Sequence, residues 1–164
     1  MSYLVQIADL LVDPGSARDE SGSVDVTVAL ANASVDGPAS FLVKLRSLSD
    51  GIVARGSVTV DAELTCKRCL KQWSDGLEIP FEQVYRRNPD DADDELPLVD
   101  GHALDLEPTI HDEVSLGLPV APVCQDDCLG LCAVCGTDLN EAPCGGHGDG
   151  SDSPFAALKQ LFDS

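Results

Sequence analysis

Six of the seven cysteines stand in closely spaced pairs: Cys66-Lys-Arg-Cys69, Cys124-x3-Cys128 and Cys132-Ala-Val-Cys135. The seventh, Cys144, is followed three residues later by His147. Two cysteines at C-x2-C spacing can turn both sulfurs toward one ion across a tight turn. A glycine just after the second, such as Gly136, supplies the left-handed conformation that such turns need. Seven Cys and one His make eight ligands, enough for two closed tetrahedral zinc sites. An odd number of thiols cannot all pair within one chain, and reduced thiols in a cytosolic protein hold metal more often than they form disulfides. The start of the sequence, MSYLVQIADLLVD, lacks the basic region and small-residue cleavage site of a signal peptide, so a cytoplasmic location is expected.

One or two structural zinc ions are therefore expected, with Cys66, Cys69, Cys124, Cys128, Cys132, Cys135, Cys144 and His147 as candidate ligands. The favoured partition joins Cys66 and Cys69 to Cys124 and Cys128. The second site is then local: Cys132, Cys135, Cys144 and His147. Two alternatives stay open. One sets Cys66/Cys69 opposite Cys132/Cys135, and the other has a single zinc with several free thiols.

Catalytic readings are weaker. Cys128-x3-Cys132-x2-Cys135 has the spacing of an iron–sulfur radical motif, but only 29 residues follow it here, against the roughly 200 or more of the barrel that houses such chemistry. A thioredoxin-like Cys66–Cys69 requires a helix start, and Trp73-Ser-Asp-Gly is not helical. A catalytic zinc keeps an open position, usually beside a Glu or His base. His102 sits in a Gly-His-Ala loop and His111 on the exposed side of a short helix, so both read as surface histidines. No HExxH, phosphate loop or serine nucleophile motif is present. A non-enzymatic protein with no catalytic residue is expected. The alternative is a zinc-dependent RNA-processing hydrolase or a thiol redox protein.

Charge is unevenly spread. Residues 1–40 carry net −5, residues 41–87 net +2 and residues 88–164 net −16, within a total of −19. Phosphate binding needs dense Lys and Arg, so broad nucleic-acid wrapping is excluded, and the acidic second half favours a basic protein partner. Seven thiolates would add −7 against +4 from two Zn²⁺, and Lys67, Arg68 and Lys71 would offset that charge around the first pair. With Trp73 beside them as a stacking surface, these residues are the candidate partner contact. Their bland reading is charge compensation plus a core tryptophan. No apolar run approaches the ~18 residues that span a membrane, and neither a membrane nor a small-molecule substrate is expected.

Alternation of apolar and polar residues predicts strands over 3–7, 24–30, 41–48, 52–64 and 77–87, with loops over 13–21 and 32–40 and turns at 49–51 and 74–76. The turn at 49–51 makes a hairpin of its flanking strands, and Pro80 marks an edge or a bulge. The like-charged run 88–95 reads as a solvated loop. Ile110, Val114 and Leu118 predict a short helix over 108–119, started by Pro108 and stopped by Pro119. Phe155, Leu158, Leu161 and Phe162 mark a C-terminal helix over 153–163. The expected fold is α+β in one domain, residues 1–164, mainly antiparallel β as a small curled sheet or barrel. It comprises a β-rich part (1–87), an acidic loop with short strands (88–107), the short helix, a zinc-binding segment (120–148) and the C-terminal helix.

Four stretches carry a resemblance. They are Cys66-Lys-Arg-Cys69-Leu70, Leu116-Gly-Leu-Pro119-Val-Ala-Pro122-Val-Cys124, Cys128-Leu-Gly130-Leu131-Cys132-Ala-Val-Cys135-Gly136-Thr-Asp-Leu139-Asn140, and Pro154-Phe155-Ala-Ala-Leu158-Lys-Gln-Leu161. In this order they resemble the YceD family, the large ribosomal RNA subunit accumulation proteins. Relatives often end the cysteine tail as Cys-x-Cys or Cys-x-His; here Gly146 intervenes and the histidine comes at 147. The resemblance implies a bacterial or plastid ribosome-biogenesis factor without enzymatic activity that supports synthesis, processing or stability of 23S rRNA. For such a factor the acidic second half suits a basic ribosomal protein or rRNA-processing factor as partner, and the basic patch near Cys66 is the candidate for a local rRNA contact, on which the resemblance itself is silent.

Overall fold

A computed structural model describes residues 3–86 and 102–147. The dominant element is a four-stranded antiparallel sheet of consecutive hairpins: β2 (Ala17–Ala29), β3 (Ala33–Ser47), β4 (Gly51–Thr65) and β5 (Gln72–Arg86). A second sheet pairs β1 (Leu4–Gln6) with β6 (Ala103–Asp105). Two helices complete the described fold, α1 (Ala8–Val12) and α2 (Glu107–Gly117).

The strands of the large sheet hold 13 to 15 residues, well beyond the ordinary five or six. Their side chains alternate strictly. Val24, Val26 and Val28, Phe41, Val43 and Leu45, Val58 and Val60, and Ile79 and Phe81 are buried on one face, while the other face meets solvent. Helix α2 covers the buried face, packing against β2, β4 and β5. Its Ile110, Val114 and Leu118 are buried at i, i+4, i+8, and Leu104 and Leu106 join the same core. At the start of α2 the Asp105 carboxylate accepts the Glu107 N–H at 3.1 Å. The hydroxyls of Tyr85 and Thr109 bond to each other, tying β5 to the helix.

The fold is mainly antiparallel β with two helices, one short. The large sheet is open, because β2 and β5 have no strand partner on their outer sides among the described residues. Pro80 lies on one of these edges, where its missing N–H costs no ladder bond. The hairpin around 49–51 forms, with Ser47 opposite Ile52.

Three sequence expectations are corrected. The stretches 13–21 and 32–40 are largely strand: β2 and β3 pair from Ala17↔Arg46 to Ala29↔Ser34, each supplying the other's hydrogen bonds. Gly22 is not a turn residue. A Cβ there would stand 2.3 Å from the Tyr3 hydroxyl, so glycine lets the Tyr3 ring cross β2. That hydroxyl donates to the Ser21 carbonyl at 3.1 Å, and the ring meets Phe41 edge-on at 4.9 Å. The Gly37-Pro38 signal is absorbed between Ser34 and Ser40, where the β3–β4 register shifts. Ser74, Asp75 and Gly76 are likewise strand, opposite Glu63, Ala62 and Asp61. Helix α1 carried no signal in the reading, and α2 begins and ends slightly before the expected 108–119. The acidic run 88–95 and the helix expected over 153–163 lie outside the described residues.

Candidate metal centre

Strands β4 and β5 run to Thr65 and Gln72, and the turn between them carries the first cysteine pair. Cys66 N–H donates to the Lys71 carbonyl (2.9 Å) and Leu70 N–H to the Cys66 carbonyl (2.9 Å). This knuckle drives Leu70 to φ +62°, a left-handed conformation in a residue with a Cβ. The amides inside the turn point at sulfur: those of Arg68 and Cys69 lie 3.4 and 3.5 Å from Cys66 Sγ.

After α2 the chain returns beside this turn. Lys67 N–H donates to the Pro122 carbonyl at 2.9 Å, and a tight turn closes with Cys128 N–H on the Gln125 carbonyl. Cys124 and Cys128 are thereby delivered to Cys66 and Cys69 across 55 to 62 residues of sequence. The four sulfurs all lie within 4.8 Å of one another, with Cys69–Cys124 at 3.6 Å and Cys66–Cys128 at 3.8 Å. Those separations are far beyond the ~2.05 Å of a disulfide, and all seven cysteines are free thiols. They match the ~3.8 Å between corners of a tetrahedron with Zn–S of ~2.3 Å. Cys66, Cys69 and Cys128 are buried.

Four thiols this close cannot all ionise without a cation among them. Burial raises Cys66, but the backbone N–H donors of Cys69, Cys124 and Arg68 outweigh it and bring the thiol down to about 6. Cys124 is pushed up to about 12 by burial and by the surrounding Cys69, Cys128 and Cys66 thiols. A divalent ion removes that conflict, because it favours every ligand as thiolate.

The second knuckle repeats the first in backbone: Cys132 N–H donates to the Thr137 carbonyl (2.8 Å), and Gly136 N–H to the Cys132 carbonyl (2.9 Å). Gly136 takes the left-handed position, φ +74°. Cys132, Cys135 and His147 lie mutually within 4.8 Å. Cys144 falls outside that trio, three residues before His147 on the same segment, and lowers the Cys132 thiol. The Thr137 hydroxyl and amide, with His147, draw Cys135 down to about 6, and the Cys135 sulfur in turn raises His147. The arrangement of Cys66/Cys69 opposite Cys132/Cys135 does not form.

The candidate contact residues divide. Lys67, Arg68 and Lys71 are exposed along their side chains, but the Arg68 guanidinium donates to the Asp126 (3.1 Å) and Cys128 (2.9 Å) carbonyls. It staples the two cysteine segments together. Trp73 is half-buried and packs against both the main core and the cysteine cluster. Asn140 escaped the site reading: its amide donates toward Cys128 Sγ (3.5 Å) and its carbonyl oxygen accepts Leu129 N–H (2.8 Å). The only signal for it was its place at the end of the Gly130–Asn140 stretch. His102 and His111 are exposed and remote from both clusters, His102 contributing its carbonyl to Ile7 N–H (2.8 Å).

The family model described as large ribosomal RNA subunit accumulation protein YceD matches residues 54–162. The chain belongs to the YceD family. The match starts inside β4 and takes in every cysteine and His147, leaving β1, α1, β2 and β3 outside it. An uncharacterized protein of Mycobacterium tuberculosis is 33% identical over 126 residues, covering 73% of this chain and 60% of that protein. One of Mycobacterium leprae is 32% identical over 131 residues, covering 76% and 59%. The Large ribosomal RNA subunit accumulation protein YceD of Haemophilus influenzae is 34% identical over 91 residues, covering 51% and 50%. The chain thus spans about 60% of the length of these mycobacterial relatives. No solved structure matches. Among the described residues, no helix is long and apolar enough to cross a membrane.

Proposed function

We propose that this chain is a non-enzymatic, zinc-binding ribosome-biogenesis factor of the cytoplasm that supports synthesis, processing or stability of 23S rRNA. The observation that carries this reading is membership of the YceD family, whose Haemophilus influenzae member is named a large ribosomal RNA subunit accumulation protein. The four-thiol centre supports the non-enzymatic part. Four thiolates complete a tetrahedral zinc shell and leave no position for a substrate, as in structural rather than catalytic sites. Zinc there ties the β4–β5 turn to the segment after α2. The acidic second half, net −16, suits a basic ribosomal protein or processing factor held by long-range attraction that weakens with salt.

The test is depletion in the source organism followed by quantification of 23S against 16S rRNA. The expected result is a fall in the 23S share that is restored by the wild-type gene and not by Cys69→Ser. An unchanged ratio on depletion overturns the role. Cleavage of RNA by the purified zinc-loaded protein, or rapid thiol turnover, would replace it with the hydrolase or redox reading.

A further inference from the structure

The two cysteine clusters share a backbone but differ in three physical respects. Cys66, Cys69 and Cys128 are buried, whereas Cys135 and His147 are exposed. The first cluster brings four sulfurs within 4.8 Å of one another, the second two sulfurs and one imidazole, with Cys144 outside that limit but on the same segment as His147.

The third difference is what holds the ligands in place. Around the first cluster, the β4–β5 ladder, Lys67 N–H to the Pro122 carbonyl, Leu131 N–H to the Arg68 carbonyl and the Arg68 guanidinium join the ligand-bearing segments to each other. Around the second, the described backbone bonds donated from residues 141–146 reach only Asp138 and Cys144. Among these described bonds the outer ligands are tied less firmly than the inner ones, and holding them in place on binding an ion costs conformational entropy. That ordering entropy is subtracted from affinity.

We propose that Cys132, Cys135 and His147, with Cys144 as the adjacent fourth donor, form an exchangeable Zn²⁺ site. It releases its ion while the Cys66/Cys69/Cys124/Cys128 centre stays loaded. The inference deepens the zinc-binding reading proposed for the chain and rests on it. Release frees residues 141–147 and leaves the base of the second knuckle attached, because Leu139 N–H still reaches the Gly130 carbonyl and Asn140 still bonds Leu129 and Cys128. Occupancy of the outer site then follows available zinc, and the order of that tail follows occupancy.

The experiment measures zinc per chain on the full-length protein by elemental analysis. Release to a chromophoric chelator is then followed in wild type, His147→Ala, Cys135→Ser and Cys69→Ser. Two zincs are expected in wild type, one leaving about tenfold or more faster than the other. His147→Ala and Cys135→Ser should lose the fast class and keep the slow one. Replacement with Co²⁺ gives a readout independent of folding losses: His147→Ala should remove the spectrum of a three-thiolate, one-imidazole cobalt site and leave the four-thiolate one. A single slow zinc that His147→Ala leaves untouched overturns the second site but spares the first. Two zincs released at one rate overturn exchangeability. No zinc bound by any form of the protein overturns both this inference and the zinc-binding reading.

Discussion

Residues 66–71 and 132–137 make the same turn, bond for bond: the first cysteine's N–H to the carbonyl five residues on, and the fifth residue's N–H back to that cysteine. One turn is the tip of a hairpin of two 15-residue strands and is roofed by a segment from beyond α2. The other lies on the exposed side of a chain stretch with no regular strand or helix. The difference teaches that a knuckle's sequence sets its backbone and its two sulfurs, while the remaining donors and their dryness come from what packs around it. The left-handed positions show the same division. Exposed Leu70 is held at φ +62° by a turn that the sheet and the roofing segment over-determine, whereas the outer turn uses glycine.

The comparison breaks most sharply at a cysteine. Cys69→Ser should cost the inner zinc and lower the melting temperature by on the order of 10 °C or more, because metal binding at a structural site is folding free energy. Cys135→Ser should move melting by only a few degrees. Calorimetry on both variants checks this, and equal losses would erase the distinction between the sites.

Ile110→Ala sharpens it from the other side. Emptying the space of a fully buried isoleucine between α2 and the sheet should cost ~2–5 kcal/mol in denaturant unfolding. The zinc count should be unchanged, since Ile110 belongs to the main core and the inner cysteines pack in a separate cluster. Smaller still is the effect of exchanging the left-handed residues. Gly136→Leu should cost ~1–2 kcal/mol, while Leu70→Gly should shift stability by less than ~1 kcal/mol because relief of strain opposes added unfolded-state entropy.

The smallest effect isolates the sheet from both knuckles. Burial, partly offset by the Thr109 hydroxyl, pushes Tyr85 up to about 12 from 10.0. The folded state therefore favours the neutral phenol. Its contribution is full below pH 10.0 and is lost as pH rises through about 12. Tyr85→Phe should cost about 1 kcal/mol at neutral pH and remove this alkaline component from the stability profile.

The particular elements show where sequence reading succeeds and where it stops. The i, i+4, i+8 face of Ile110, Val114 and Leu118 and the period of two in 58–64 are local signals, and both elements form, the helix with slightly shifted ends. The polar stretch 13–21 has the composition of a loop, yet 17–21 are strand because a partner 21 to 29 residues away supplies their hydrogen bonds, which composition does not record. Arg68, read as a contact, spends its guanidinium on two carbonyls of the segment that arrives from beyond α2.

The sequence by itself determined the paired sulfurs of both knuckles through C-x2-C spacing and, in the outer one, the left-handed position through Gly136; at Leu70 the surrounding structure imposes it. Tertiary structure alone decided which cysteines meet, and how dry they are. Bringing Cys124 and Cys128 to Cys66 and Cys69 depends on the path of β5, β6 and α2 between them. That path is fixed by burial of one face of a long sheet, an energy summed over the whole core and carried by no single motif.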